Sequence, residues 1–320
     1  MGTRQVLLKL LQDHPGVYLS GEELARQLGV SRTAVWKAIR ALKDKGYGIE
    51  AVTNRGYCLS ADTDVLDPEA IRGLLTGFSW ELHPVSSLAS TNSALRELAG
   101  QGAPEGTVLI AASQSAGRGR MGRQFYSPEG TGLYMSLLLR PRELSPAESL
   151  QLTTMAAAAL CMAIQQVTGL EPQIKWVNDL FLNGKKICGI LTEGSFNLET
   201  GLLQDAVLGL GLNLYPPREG FPPELKNIAG ALLPKNRPDL KNTLTAAFLN
   251  QFSEFYREKK FRKAAEIYRS RSLLTGRQVE IQGKTAEVLD INDRCQLVVR
   301  YDDGSIQALS YGEVTIVNCL

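Results

Sequence analysis

Apolar positions in the first 60 residues recur at helical spacing. Val6, Leu7, Leu10 and Leu11 gather on one side of residues 3–13, which predicts a short amphipathic helix. Ser20 and Glu23 form a capping box that starts a second helix through Leu24, Ala25 and Leu28, ended by Gly29. Ser31 caps a third, "SRTAVWKAIRALKDKGY", in which Val35, Ile39 and Leu42 fall together at about 100° per residue. Arg32, Thr33, Trp36, Lys37, Arg40 and Lys43 occupy the opposite arc. The period then shortens to two. "YGIEAV", "TNRG" and "YCLS" read as a strand, a turn with Arg55 at its tip, and a returning strand. Two capped helices, a tight turn and a hairpin make a winged helix-turn-helix. Arg32, Thr33, Lys37 and Arg40 are the candidates for bases or phosphates, and Arg55 for phosphate or the minor groove. The competing reading is a solvated charged helix on a small bundle.

"ADTDVLDPEA" is polar, with Pro68 opening a helix, and reads as a linker. From about residue 80 to 215 strands and helices alternate. A helix follows "SSLASTN", residues 107–112 and 133–139 form apolar strands, and a long buried helix covers 148–167. "QIKWV", the hairpin "DLFLNGKKICGILTE" turning at Asn183-Gly184, and "DAVLGLGLNLY" complete the strands. A polar, Pro-rich loop precedes a helix at about 240–270, with Phe248, Phe252, Phe255 and Tyr256 inward. The remainder is all short strands with a turn at Asp303-Gly304, a small β-barrel. Hairpin pairings exclude a doubly wound parallel sheet. The fold class is α+β, with domains at 1–62, 63–271 and 272–320.

Charge changes this picture at one end only. The net charge is +2, but residues 1–60 carry nine Lys/Arg against five Asp/Glu, and the rest sums to −2. A basic module on a near-neutral body points to an anionic partner for the first domain. No uninterrupted apolar run reaches membrane-spanning length, since residues 150–170 include Thr153, Thr154, Gln165, Gln166 and Thr168. The N-terminus has no signal-peptide core, so a cytoplasmic protein is expected, with no membrane partner. Cys58, Cys161, Cys188, Cys295 and Cys319 are widely spaced with no CxxC, which suits structural thiols. With His14 and His83 as the only histidines, a His-based metal site or a Ser-His-Asp triad has little material to work with, and no metal ligands are assigned.

Three polar clusters interrupt the apolar elements of the central domain. Ser90-Thr91-Asn92 stands at a helix start, where one residue would suffice as a cap. Gln114 precedes a loop with Arg118, Arg120 and Arg123 among glycines. Gly117, Gly119 and Gly122 match GxGxxG, but a second strand rather than a helix follows, and no acidic ribose partner stands about 20 residues on. A dinucleotide site is excluded. The third cluster is "KWVNDL" with "KKICGIL": Lys175, Asn178 and Asp179, with Lys186 on the returning strand. Five cations against one carboxylate suit an anionic ligand and charge building on phosphate.

"STN", "GRGRMGR…SPEGTGLY", "KWVNDL", "KKICGIL" and "GLGLN" resemble the successive motifs of biotin protein ligases. With the winged helix, the whole chain is similar to the bifunctional bacterial ligases that also repress the biotin operon. One departure is Val177, where the family usually has Pro. The resemblance implies a class II synthetase-like central domain and an SH3-like C-terminal barrel. It also implies that biotin and ATP form biotinyl-AMP, with Mg²⁺ on the ATP phosphates, before transfer to a lysine of a biotin carboxyl carrier domain. Ser90, Thr91, Asn92, Gln114, Arg118, Gly119, Arg120 and Lys186 would then hold biotin. Arg120, Arg123, Lys175, Asn178 and Asn213 would hold the nucleotide, and Lys186, Arg118, Arg120, Asp179 and Lys175 would act in catalysis, with Asp179 a metal or acceptor-lysine contact. The Arg loop should be mobile when empty, and bound adenylate should favour a homodimer on operator DNA. A ligand-sensing transcription factor without transferase activity and a lipoate-handling enzyme are the alternatives.

Overall fold

Ser20 and Ser31 accept hydrogen bonds from the Glu23 and Ala34 amides at 3.0 and 3.2 Å, so both predicted caps form. The capping box is only half made. Glu23 turns away to Arg26 and Gln27, whose donors lie at 2.7 and 2.6 Å. The structure, a computed structural model, describes residues 2–145, 148–197 and 199–317; Cys319 lies outside them. It divides into two compact units, one ending at Leu74 and joined by Leu233–Ala246, the other formed by Leu75–Leu232 and Ala247 onward.

In the first unit, α1 (Thr3–Gln12), α2 (Gly21–Leu28) and α3 (Arg32–Asp44) precede the hairpin β1 (Ile49–Val52) and β2 (Gly56–Leu59). Leu7, Leu11, Leu24, Val35, Ile39 and Leu42 form the buried core, which is the face the helical period selected. Asn54 and Gly56 have φ of 66° and 104° in the wing turn. A short α4 (Pro68–Leu74) follows the stretch that reads as a linker. That stretch is anchored. Asp64 Oδ1 accepts from the Lys241 amide at 2.8 Å, and the Asp67 amide donates to Asn242 Oδ1 at 2.8 Å. Lys45 donates to Asp67 Oδ2 at 2.9 Å. Asp64 and Asp67 are buried partners rather than solvated linker residues.

The second unit is built on β3 (Glu81–Leu88), α5 (Thr91–Gly100), β4 (Thr107–Gln114), β5 (Gly132–Leu139), α6 (Leu150–Thr168), β6 (Gln173–Lys175), β7 (Asp179–Leu182), β8 (Lys185–Phe196) and β9 (Leu203–Asn213). The strands form one mixed sheet in the order β3-β4-β5-β9-β8-β7-β6, parallel only between β3 and β4. Every residue of β5 is buried, as a strand covered on both faces must be. Asn183 and Gly184 both have positive φ, 51° and 76°, giving the primed turn expected between β7 and β8. α6 is long and apolar enough to cross a membrane, but its residues from Leu152 to Cys161 are buried inside the unit, against β8 and a later helix.

The helix expected at about 240–270 is two helices, α7 (Leu240–Arg257) and α8 (Phe261–Ser270). Lys259 takes a left-handed φ of 51° between them, which stops the helical ladder. Phe248, Phe252 and Phe255 are fully buried, while Tyr256 is only partly so and donates to Glu105 at 2.6 Å. The final strands, β10 (Gln278–Ile281), β11 (Lys284–Ile291), β12 (Leu297–Tyr301), β13 (Ile306–Leu309) and β14 (Thr315–Ile316), form an antiparallel sheet in the order β13-β12-β11-β10-β14. A register shift at Val288/Asp290 interrupts β11, and Val279, Val288, Leu297 and Val299 are fully buried on its inner face.

Candidate active site

One cavity of about 540 Å³ in the second unit is lined by Arg118, Arg120, Arg123, Lys175 and Lys186 together. Ser90, Thr91, Asn92, Gln114, Gly119, Asn178, Asp179 and Asn213 line it too, so every candidate ligand or catalytic residue of the central domain meets at one place. The sheet does the gathering. Gln114 ends β4, Asn213 ends β9, Lys175 ends β6, and Asp179 and Lys186 lie on neighbouring strands.

The Ser-Thr-Asn cluster is buried and wired to its surroundings. Ser90 caps α5. The Thr91 amide and hydroxyl donate to Gln114 Oε1 at 2.8 and 3.1 Å, and Ser136 donates to Asn92 Oδ1 at 2.6 Å. Asn92 Nδ2 donates to Leu191 O at 3.2 Å and to Glu193 at 3.0 Å. Uncharged polar atoms are thus fixed in place before any ligand arrives, which suits a neutral polar ring.

The Arg loop folds back on itself. Backbone bridges pair Gln114 with Ser127 and Arg118 with Gln124, and Arg120–Gly122 makes one 3₁₀ turn. Phe125 anchors it. Gly189 and Gly211 face each other across β8 and β9, and a Cβ on Gly211 would come within 2.6–2.9 Å of three ring carbons of Phe125. Only glycine lets the ring lie on the strand. A Cβ on Gly209 would likewise collide with the Asn92 amide. These contacts explain the glycines of "GLGLN", which pattern alone does not.

The cations do not stand free. Arg118 pairs with Glu193 at 3.1 Å, Arg123 with Glu313 at 2.7 Å, and Lys186 with Asp179 at 2.7 Å. The last pair lacks hydrogen-bond alignment, leaving the buried Asp179 Oδ1 without a donor. Arg120 donates to Asn178 Oδ1 at 3.2 Å and to Gly312 O at 3.3 Å. The sequence motifs hold one carboxylate here; the structure brings three, because Glu193 on β8 and Glu313 before β14 reach the loop. Glu193 carries an alternation signal at the end of an apolar strand, but nothing in the sequence links Glu313 to the loop. Lys175 has no carboxylate within ion-pair distance among the described residues and lies 5.9 Å from the Phe181 ring centre. Burial holds its ammonium below the ordinary lysine range, and Lys186 and Arg123 push the same way against Asp179 and Glu313. Asn213 donates to Gly230 O at 3.0 Å, and Lys186 exchanges backbone hydrogen bonds with Ile228 and Gly230. The Trp176–Val177 peptide is cis. Cys188 is fully buried, and that burial pushes its thiol well up.

On the first unit, Arg32, Thr33, Lys37, Arg40 and Arg55 are all exposed, the first four on α3 and the last on the wing. Arg40 lies 5.7 Å from the Trp36 ring centre and Arg55 4.1 Å from that of Tyr18, which holds both guanidinium groups outward.

The class follows first. Residues 85–213 match the biotin/lipoate A/B protein ligase family, and residues 3–58 match a helix-turn-helix domain. The bifunctional ligase/repressor BirA of Bacillus subtilis is 42% identical over 233 residues, 72% of this chain and 70% of its own. Its Escherichia coli counterpart is 36% identical over 199 residues, 62% of this chain and 60% of its own. Among solved structures, biotin protein ligase from Aquifex aeolicus in complex with biotin and ATP superposes with a TM-score of 0.62 at 28% identity, covering 75% of this chain and 99% of its own. The chain belongs to the family of bifunctional biotin–protein ligase/repressors.

Proposed function

We propose that the cavity holds biotin beside ATP, joins them as biotinyl-AMP with loss of pyrophosphate, and passes the biotinyl group to a carrier lysine. The first unit places the same chain on operator DNA as a biotin-responsive repressor. The observation that carries this reading is the convergence of five cationic side chains from separate stretches of sequence on one cavity.

The residues divide the work. Ser90, Thr91, Asn92 and Gln114 accept and donate to the ureido ring of biotin. Lys186, released from Asp179, holds the biotin carboxylate against the α-phosphate. Arg118, Arg120 and Arg123 offset the charge that grows on phosphate in the transition state. Lys175, kept without a carboxylate partner, is the group most ready to take a phosphate oxygen, and Asn178 and Asn213 orient the nucleotide. Much of the acceleration comes from holding the two anions in line. Mg²⁺ enters on the ATP phosphates as part of the substrate.

Adenylate in the cavity orders the Arg loop and favours a homodimer, whose two winged helices match a two-fold operator; ligand and DNA affinities are then reciprocally linked. A repressor and its carrier substrate share the cytoplasm. Biotin-dependent exchange of pyrophosphate into ATP tests the reading. Exchange by purified protein is expected, and its absence with Mg-ATP present would remove the ligase. Biotin binding without carrier labelling would instead leave a ligand-sensing transcription factor.

A further inference from the structure

A second cavity, of about 330 Å³, adjoins the first. Arg120, Asn178, Ile190 and Leu191 line both, so the hydrogen-bonded Arg120–Asn178 pair stands at their common boundary. Its outer end has Ser310, Tyr311 and Phe196, the last two 78% and 42% exposed. Farther in it carries the hydroxyls of Thr153 and Thr192, paired at 2.8 Å, and then Val177, which is buried. Arg120 is the one charged residue among those described that line it, and no carboxylate is present.

This lining differs in kind from that of the first cavity, which Asp179 and Glu313 line together with five cationic side chains. A channel free of acids with an arginine at its inner end disfavours a cation and accepts an apolar stem. Resting on the ligase reading above, we propose that the second cavity is the route by which the acceptor lysine reaches the adenylate. Four methylenes fill the channel and the amine arrives at Arg120 after shedding one proton to water. The nitrogen lone pair attacks the anhydride carbonyl carbon. The C–N bond forms, the C–O bond to phosphate breaks, AMP leaves with that electron pair, and the nitrogen loses its second proton to give the amide. Tyr311 and Phe196 are then the apolar collar on which the flank of the acceptor rests.

Two substitutions narrow the channel away from the adenylation residues: Ser310→Trp at its exposed mouth and Thr192→Leu farther in. Each is assayed for pyrophosphate exchange, for single-turnover transfer to a carrier domain, and for aminolysis of enzyme-bound biotinyl-AMP by n-butylamine. Transfer and aminolysis should both fall at least about tenfold while exchange stays within about twofold. Aminolysis that is unchanged while carrier transfer falls would make the site a docking surface only and overturn the route. Loss of exchange in a folded Thr192→Leu protein would assign the cavity to adenylation and overturn it equally. If Thr192→Leu does not fold, the exposed Ser310→Trp decides alone. Failure of the ligase reading itself shows separately, as absence of exchange in the unsubstituted protein.

Discussion

Gly211→Ala isolates the packing that holds the Arg loop. The added methyl would stand 2.6–2.9 Å from three Phe125 ring carbons, closer than Cβ atoms approach, whereas one on the neighbouring Gly189 would meet Phe125 at 3.4 Å, ordinary contact. The ring must move, and it carries residues 118–124 with it. Overpacking of this kind costs about 1–3 kcal/mol. Taking ~2 kcal/mol against the docked loop, kcat/KM for pyrophosphate exchange falls about 30-fold. Because the loop yields first, Tm should barely change. Strain held in the sheet would lower Tm by about 4–8 °C, going by the usual shift for a domain of this size. Phe125→Ala lowers activity by itself, but adding Gly211→Ala to it should cost nothing further, since the colliding atoms are gone. Exchange within about twofold of the parent, or the same loss in the Phe125→Ala background, would refute the anchoring role.

Other expectations follow from the same geometry. Arg120→Gly removes two charge-assisted hydrogen bonds at the boundary of the cavities, so bound biotinyl-AMP should escape at least about tenfold faster in a filtration assay; unchanged dissociation would count against its role. Lys37→Ala and Arg55→Ala should each lower the slope of log K against log salt for operator binding by about 0.9 if the side chain neutralises one phosphate. Burial, with Asp64 and Asp67 near, holds the Asp239 carboxyl above the usual carboxylate range. A carboxyl raised in the folded state gives stability that is fully present below its unfolded pKa of about 3.9 and lost as pH rises through the folded value. Asp239→Asn should therefore gain in Tm relative to the parent as pH rises from about 3.5 to 6, a trend that a pH series of melting curves would confirm or reject.

What the sequence made legible was local. Val35, Ile39 and Leu42 show the core face of α3 because three turns of helix repeat one choice, and Asn183-Gly184 shows its turn because few residues tolerate two positive φ angles. The cationic half of the site was legible for the same reason, since cations interrupting apolar strands are conspicuous. Its acidic half was not. Glu313 lies 190 residues beyond Arg123, in a loop whose composition says nothing about a partner. Nor was the anchoring of Asp64 and Asp67, whose partners Lys241 and Asn242 lie at the start of a helix far along the chain. Gly209 and Gly211 look like flexible punctuation until the side chains above them are seen.

The pairing of Arg118, Arg123 and Lys186 with carboxylates supplies counter-ions from within the chain. Stray anions in the cell, each carrying little charge, gain nothing by evicting three carboxylates that are already in place. On the reading proposed above a triphosphate would, and in doing so it would turn Glu193, Glu313 and Asp179 loose. On that reading, discrimination between cellular salt and a polyphosphate would lie in these ion pairs themselves.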